Sequence, residues 1–126
     1  MEENGVGTAV VESAIAVHRE IGPGLLESVY EVALAYELRE RGLEVKRQVP
    51  VSFEYRGLKF EEGFRLDLQI ESRVIVEVKC VEQLNNAHRK QLLTYLRLTG
   101  NRLGYILNFS EPLMKQGILR VVCNLD

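Results

Sequence analysis

Asp67, Glu77 and Lys79 are the residues of this chain whose types and spacing best suit chemistry. Two carboxylates held together offer hard oxygen ligands to a divalent ion such as Mg²⁺ or Mn²⁺. Mg²⁺ commonly takes one or two carboxylates and completes its octahedral shell with waters and phosphate oxygens. The peptide carbonyl of Val78 is a candidate third ligand. Lys79 is placed to orient an attacking water or to stabilise charge that builds on a phosphate. The chemistry of such a group is phosphodiester hydrolysis. The same residues also suit a solvated ion ladder on an exposed sheet face, and a short D…ExK string does not separate the two readings.

The elements around these residues decide whether they meet. Phe64, Leu66, Leu68 and Ile70 alternate with Arg65, Asp67 and Gln69, and Val74, Val76, Val78 and Cys80 alternate with Ile75, Glu77 and Lys79. Both runs read as strands of one hairpin, with the even-numbered apolar residues expected to face one core. A two-residue turn at Glu71-Ser72 would pair Ile70 with Arg73 and put the two apolar rows on opposite faces. A three-residue loop, Glu71-Ser72-Arg73, pairs Ile70 with Val74 and sets Asp67 opposite Glu77. Cross-strand neighbours have Cβ atoms about 4.5 to 5.5 Å apart, and like charges there destabilise unless neutralised. Lys79 is one neutralising group and a divalent cation is the other. Ile75 on the same face points to a partly covered cleft rather than open surface.

The remaining pattern supplies the frame. Val10, Val11, Ala14, Ile15, Val17 and Ile21 recur at helical spacing, predicting a helix over 8–20 with Thr8 as its cap. Gly22-Pro23-Gly24 breaks it, and a second helix is expected over 25–41, ending at Gly42. Val45 to Tyr55 has a two-residue period with Pro50 marking an edge or bulge; Arg56-Gly57 suits a hairpin turn before Leu58 to Phe60, and Gly63 suits a further bend. A third helix is expected from Asn85 or Asn86 to Thr99, with Gly100 as its stop. A buried strand over 103–109, a helical turn closing near Gly117 and a last strand over 118–125 complete the chain. The order α-α-β-β-β-β-α-β-β predicts an α/β fold in which helices flank a mixed central sheet.

The 126 residues suit a single domain spanning the chain. A net charge of −2 excludes binding to nucleic acid through overall positive charge, so any such contact must be local. Lys46-Arg47, Arg56 with Lys59, Arg89-Lys90 and the run 97–102 are the local basic candidates. Cys80 and Cys123 lack the spacing of a zinc or redox site and are expected as buried free thiols. No apolar run is long enough to span a bilayer, and the acidic start lacks the pattern of a secretion signal, so the chain is expected in the cytoplasm without a membrane partner. On the predicted helices, Glu27 and Tyr30 lie one turn apart, and His88, Gln91 and Tyr95 form one polar stripe. Glu27 also suits a first-turn carboxylate that complements the helix dipole.

Gly24-Leu25-Leu26-Glu27-Ser28-Val29-Tyr30 resembles the signature of the small bacterial GxxExxY proteins. Val17 to Gly24 is similar to that family's approach to the motif. Phe64 to Leu68, Val76 to Lys79 and Gln91 to Leu96 resemble its later blocks in the same order, so the likeness runs from about Ala14 to Val122. The family is placed in the PD-(D/E)XK nuclease-like superfamily, which implies a restriction-endonuclease-like core and a metal-dependent nuclease acting on DNA or RNA. Carried over, Glu27 corresponds to the helical glutamate, which would arrange metal and water together with Asp67, the metal-binding aspartate, and Glu77, which with Lys79 forms the E-x-K pair. Gln91 and Tyr95 match the following helix, where they would position substrate. No Pro precedes Asp67, a departure that the family tolerates. A non-catalytic nucleic-acid- or protein-binding module on the same fold is the rival expectation, and a homo-oligomer is compatible with either.

Overall fold

A computed structural model describes residues 1–125. Three helices, α1 (Glu3–Ile21), α2 (Glu27–Glu40) and α3 (Asn86–Thr99), flank five strands: β1 (Val45–Tyr55), β2 (Leu58–Ile70), β3 (Val74–Lys79), β4 (Leu103–Asn108) and β5 (Ile118–Val122). The strands lie in the order β1-β2-β3-β4-β5. Only β3 and β4 pair in parallel; the other neighbours are antiparallel. A parallel pair needs a crossover connection, and α3 supplies it. α1 and α2 pack on one face of the sheet over Leu68, Ile70, Val74, Val76, Val78, Leu103 and Leu107. α3 covers the other face through Leu92 and Leu96, against Leu66, Ile75, Ile106 and Val121.

The mixed sheet between helical layers is the architecture expected from the sequence, with local differences. α1 begins at Glu3, so Thr8 lies inside the helix and does not cap it; its hydroxyl donates to the Asn4 carbonyl. Leu58–Phe60 and Phe64–Ile70 form one 13-residue strand, giving five strands instead of six. Gly63 is no bend: a Cβ there would run into the Phe53 ring, so glycine makes room for the Phe53–Phe60 stack, whose centroids are 4.8 Å apart. Pro50 lies on the edge strand β1, where a missing donor costs least. Asn85 caps α3 with His88 completing a capping box, and Gly100 ends it at φ +75°. Cys80 and Cys123 are free but only partly buried.

The bend between α1 and α2 is tied by Tyr30. Its ring is buried and stacks on Phe109 at 4.5 Å, and its hydroxyl donates to the Gly22 carbonyl at 2.5 Å while accepting from the Leu25 amide at 3.1 Å. Tyr30 and Glu27 therefore do not serve one surface: Tyr30 closes the bend, whereas Glu27 is exposed and reaches the end of β3. Tyr30→Phe removes one donor and one acceptor from that bend. A loss of about 1 to 3 kcal/mol in unfolding free energy is expected by denaturant titration, with divalent-ion binding unchanged.

Candidate active site

β2 and β3 part company at the residues that matter. Their ladder runs Ile70–Val74, Gln69–Ile75 and Leu68–Val76, the register set by a three-residue loop, and then stops. Glu71 and Ser72 both have φ +54°, and the Arg73 amide donates to the Ile70 carbonyl, so a tight turn with one added residue fixes the pairing. Asp67 and Glu77 would be the next pair. Instead of a backbone ladder, each carboxylate bonds the opposite strand: the Asp67 amide donates to Glu77 Oε2 and the Val78 amide to Asp67 Oδ2, both at 2.9 Å. The strands fork, and two carboxylates fill the fork.

The uniform pleat expected for β2 is also interrupted here. Leu68 and Ile70 belong to the core under α1 and α2, but Leu66 belongs to the core under α3, with Phe64 packed against it. β1 makes the same exchange, since Val45 joins the first core while Val49 and Val51 pack on the second. Both strands change face at one level: Arg47–Leu68 and Val49–Leu66 are paired, the Gln48–Asp67 pair between them is missing, and Gln48 has φ +52°. A positive φ in a non-glycine residue turns the chain out of the pleat. The even-numbered apolar residues of β2 therefore do not share one core. On β3 the alternation holds, with Ile75 in the α3 core and Val74, Val76 and Val78 in the other. Glu77 and Lys79 thus share the side of Ile75, as their parity requires.

Electrostatics at the fork are unfavourable for two ionised carboxylates. Glu77 is only 5% exposed, and burial, reinforced by the charge of Asp67, pushes its carboxyl up to about 8. Asp67 is raised as well, by burial first and then by the charges of Glu31 and Glu27, with the Val78 amide and Lys79 pulling it back. Among the described residues neither carboxylate takes part in a salt bridge. Lys79 is partly exposed and acts on both through space.

The donor set fits a hard divalent ion. Asp67 Oδ1 and Glu77 Oε1 lie outside the two backbone bonds of the fork. The Val78 amide points toward β2, and in a strand the carbonyl of the same residue points to the same side, so it opens into the fork. Two carboxylates and a carbonyl leave room for the waters that Mg²⁺ retains. Among the described residues no three His, Cys, Asp or Glu side chains gather closely enough to hold a metal ion, so Glu27 does not close a three-carboxylate cluster. Its Oε2 instead accepts from the Cys80 amide at 3.1 Å, holding the end of β3 against the start of α2.

From α3, Tyr95 senses the charges of the fork, and Gln91 lies beside Tyr95. The Tyr95 ring stacks on Phe64 at 4.2 Å with planes 5° apart, and its hydroxyl is pushed up by burial and then by the charges of Glu77 and Asp67. Gln91 lies one turn earlier and is exposed. His88, the third member of the sequence stripe, is occupied in the cap of α3.

Glu31 was not a candidate from sequence. It is buried, and its carboxylate accepts from Arg47 Nε at 3.1 Å and from Gln48 Nε2 at 2.8 Å, with Arg47 Nη2 ion-paired at 2.9 Å. Its position, one turn after Glu27 in the stripe Leu34, Ala35, Leu38, is the readable signal: an acid in a row otherwise buried against the sheet.

A family model described as the PD-(D/E)XK nuclease superfamily matches residues 4–121. No curated protein matches the chain.

Proposed function

The chain belongs to the PD-(D/E)XK nuclease superfamily, and from that premise we propose that it is an Mg²⁺- or Mn²⁺-dependent nuclease hydrolysing phosphodiester bonds of DNA or RNA. The observation that carries this reading is the fork, where Asp67 and Glu77 face each other, without a salt bridge among the described residues, and Lys79 stands on the side of Glu77. Ionising the buried Glu77 beside the partly buried Asp67 is a standing cost unless a cation relieves it. Asp67, Glu77 and the Val78 carbonyl would hold the ion. Such an ion, when bound, lowers the pKa of a coordinated water and offsets negative charge on phosphate oxygens.

The chain's own residues would do the rest. Lys79 presents ammonium protons to the developing charge or orients the attacking water. Tyr95 offers a hydroxyl donor on the α3 side and Gln91 an amide, both suited to phosphate oxygens of a bound strand. Glu27 keeps the end of β3 in place through the Cys80 amide and would adjust water at the rim of the site. Lys79, the cation that acts on both carboxylates, would supply local attraction that the net charge of −2 does not.

Incubation with single- and double-stranded DNA and RNA in Mn²⁺ is expected to yield cleavage that EDTA abolishes. Mn²⁺ is also expected to raise the melting temperature of the parent protein and not that of Asp67→Asn. No cleavage of any substrate together with no Mn²⁺ shift would sink the proposal, whereas a shift without cleavage would favour a binding module.

A further inference from the structure

We infer that Glu31 is a positioning residue, whose hold on Arg47 and Gln48 makes β1 and β2 exchange faces and so delivers the Asp67 carboxylate to the Val78 amide. Consecutive residues of a strand point to opposite faces of the sheet. Arg47 and Gln48 nonetheless converge on one carboxylate: Arg47 Nε donates to Glu31 Oε2 at 3.1 Å with Nη2 ion-paired to the same oxygen at 2.9 Å, and Gln48 Nε2 donates to Oε1 at 2.8 Å. Both side chains can reach the same buried acid on α2 only if the pleat is broken between them. The break is the positive φ of Gln48, a conformation that a residue with a Cβ adopts rarely and that surrounding contacts must hold.

Asp67 is the residue opposite that break. The pairs on either side of it, Arg47–Leu68 and Val49–Leu66, keep a common register, so β2 must turn over at Asp67 when β1 turns over at Gln48. That turn separates Leu68 from Leu66 by a sheet face and frees Asp67 from the ladder. Its side chain then enters the fork, where Oδ2 accepts from Val78. Glu31 acts on the site through Gln48 and Asp67 and is not itself placed on the substrate. The importance of this placement for cleavage rests on the proposed nuclease function, but the placement itself is testable without metal.

The test is amide hydrogen exchange, followed by NMR on the full chain without metal. In Glu31→Ala the Val78 amide is expected to lose about tenfold in protection, the scale of one hydrogen bond. The Leu107 amide, in the β3–β4 ladder, is expected to keep its protection. Glycine adopts positive φ without strain, so Glu31→Ala/Gln48→Gly is expected to bring Val78 back to within about threefold of the parent. A loss that came only from removing a buried side chain would not be restored by a glycine on another element. Should Glu31→Ala not fold, Glu31→Gln, which keeps an acceptor for Gln48 but loses the ion pair with Arg47, carries the same rescue design. Unchanged Val78 protection in the folded Glu31 variant, or no recovery in the double variant, overturns the inference. Mn²⁺ titration of the same proteins separates the two ideas: a parent that binds no Mn²⁺ counts against the nuclease reading while the exchange data still decide the role of Glu31.

Discussion

Lys79→Ala is expected to lower metal-dependent cleavage by about 10²- to 10³-fold while leaving the Mn²⁺ thermal shift in place, the usual loss when one group that stabilises transition-state charge is removed. The separation of effects follows from the fork. Asp67 and Glu77 each bond the opposite strand directly, and neither depends on Lys79 for its position. Removing the ammonium takes away a through-space attraction that favours both carboxylates as anions, so ion affinity is expected to change much less than rate. Asp67→Asn is the contrasting variant, expected to lose cleavage and ion binding together. Equal loss of Mn²⁺ binding in Lys79→Ala and Asp67→Asn would show that the lysine builds the site and does not act on the reaction.

Glu77→Gln is expected to stabilise the metal-free protein at alkaline pH and to abolish its response to Mg²⁺. The folded chain holds the Glu77 proton up to about 8, against an ordinary value of 4.5. A carboxyl raised in this way costs nothing below about pH 4.5, where it is protonated in folded and unfolded chains alike. Stability is then lost as pH rises toward 8, at about 1.4 kcal/mol per pH unit, because the unfolded chain gives up the proton first. Above pH 8 the accumulated cost is on the order of 5 kcal/mol. The glutamine variant removes that slope, since its amide carbonyl can still accept from the Asp67 amide. Urea unfolding at pH 5, 7 and 9 should show the parent and variant diverging as pH rises. In the parent, Mg²⁺ at about 100-fold over its dissociation constant should restore about 2.7 kcal/mol, and the restoration should grow with pH as the proton that competes for Glu77 leaves. A parent whose metal-free stability is flat between pH 5 and 9 would refute the burial argument.

Much of this site was readable from residue order. The rule that Ile70 must meet Val74 to keep two apolar rows on one face near the turn fixed the register of β2 and β3, and the pairing obeys it. Asn85 or Asn86 and Gly100 bounded α3 through ordinary capping chemistry, which placed Gln91 and Tyr95 on the helix, whereas His88, read as part of their polar stripe, instead completes the cap. The exchange of faces at Gln48 and Asp67 was not readable. Polarity reveals a pleat only when one face is wet, and both faces of this sheet are covered by helices, so Leu66 and Leu68 look alike in sequence while lying in different cores. Gln48 gives no warning because its positive φ is held by a carboxylate on another element and not by its own propensity. The partners of Glu31 were hidden for a related reason: Arg47 and Gln48 lie sixteen and seventeen positions along the chain, a relation no helical spacing encodes. Gly63 misled in the opposite direction, since its lack of a side chain serves the Phe53 ring and not a turn.

The crossing at Asp67 also divides the cooperativity of the molecule. Leu66 and Leu68 are two positions apart on one strand, yet each is fully buried in a different core. Opening the α3 side can proceed through Leu66, Ile75 and Ile106 while the α1–α2 side stays closed around Leu68, Ile70 and Val76, so β2 is shared by two units of local unfolding. The site occupies their seam. An ion or substrate bound at the fork would stitch the two units together, and the binding free energy would be felt as a slower, more concerted opening of both.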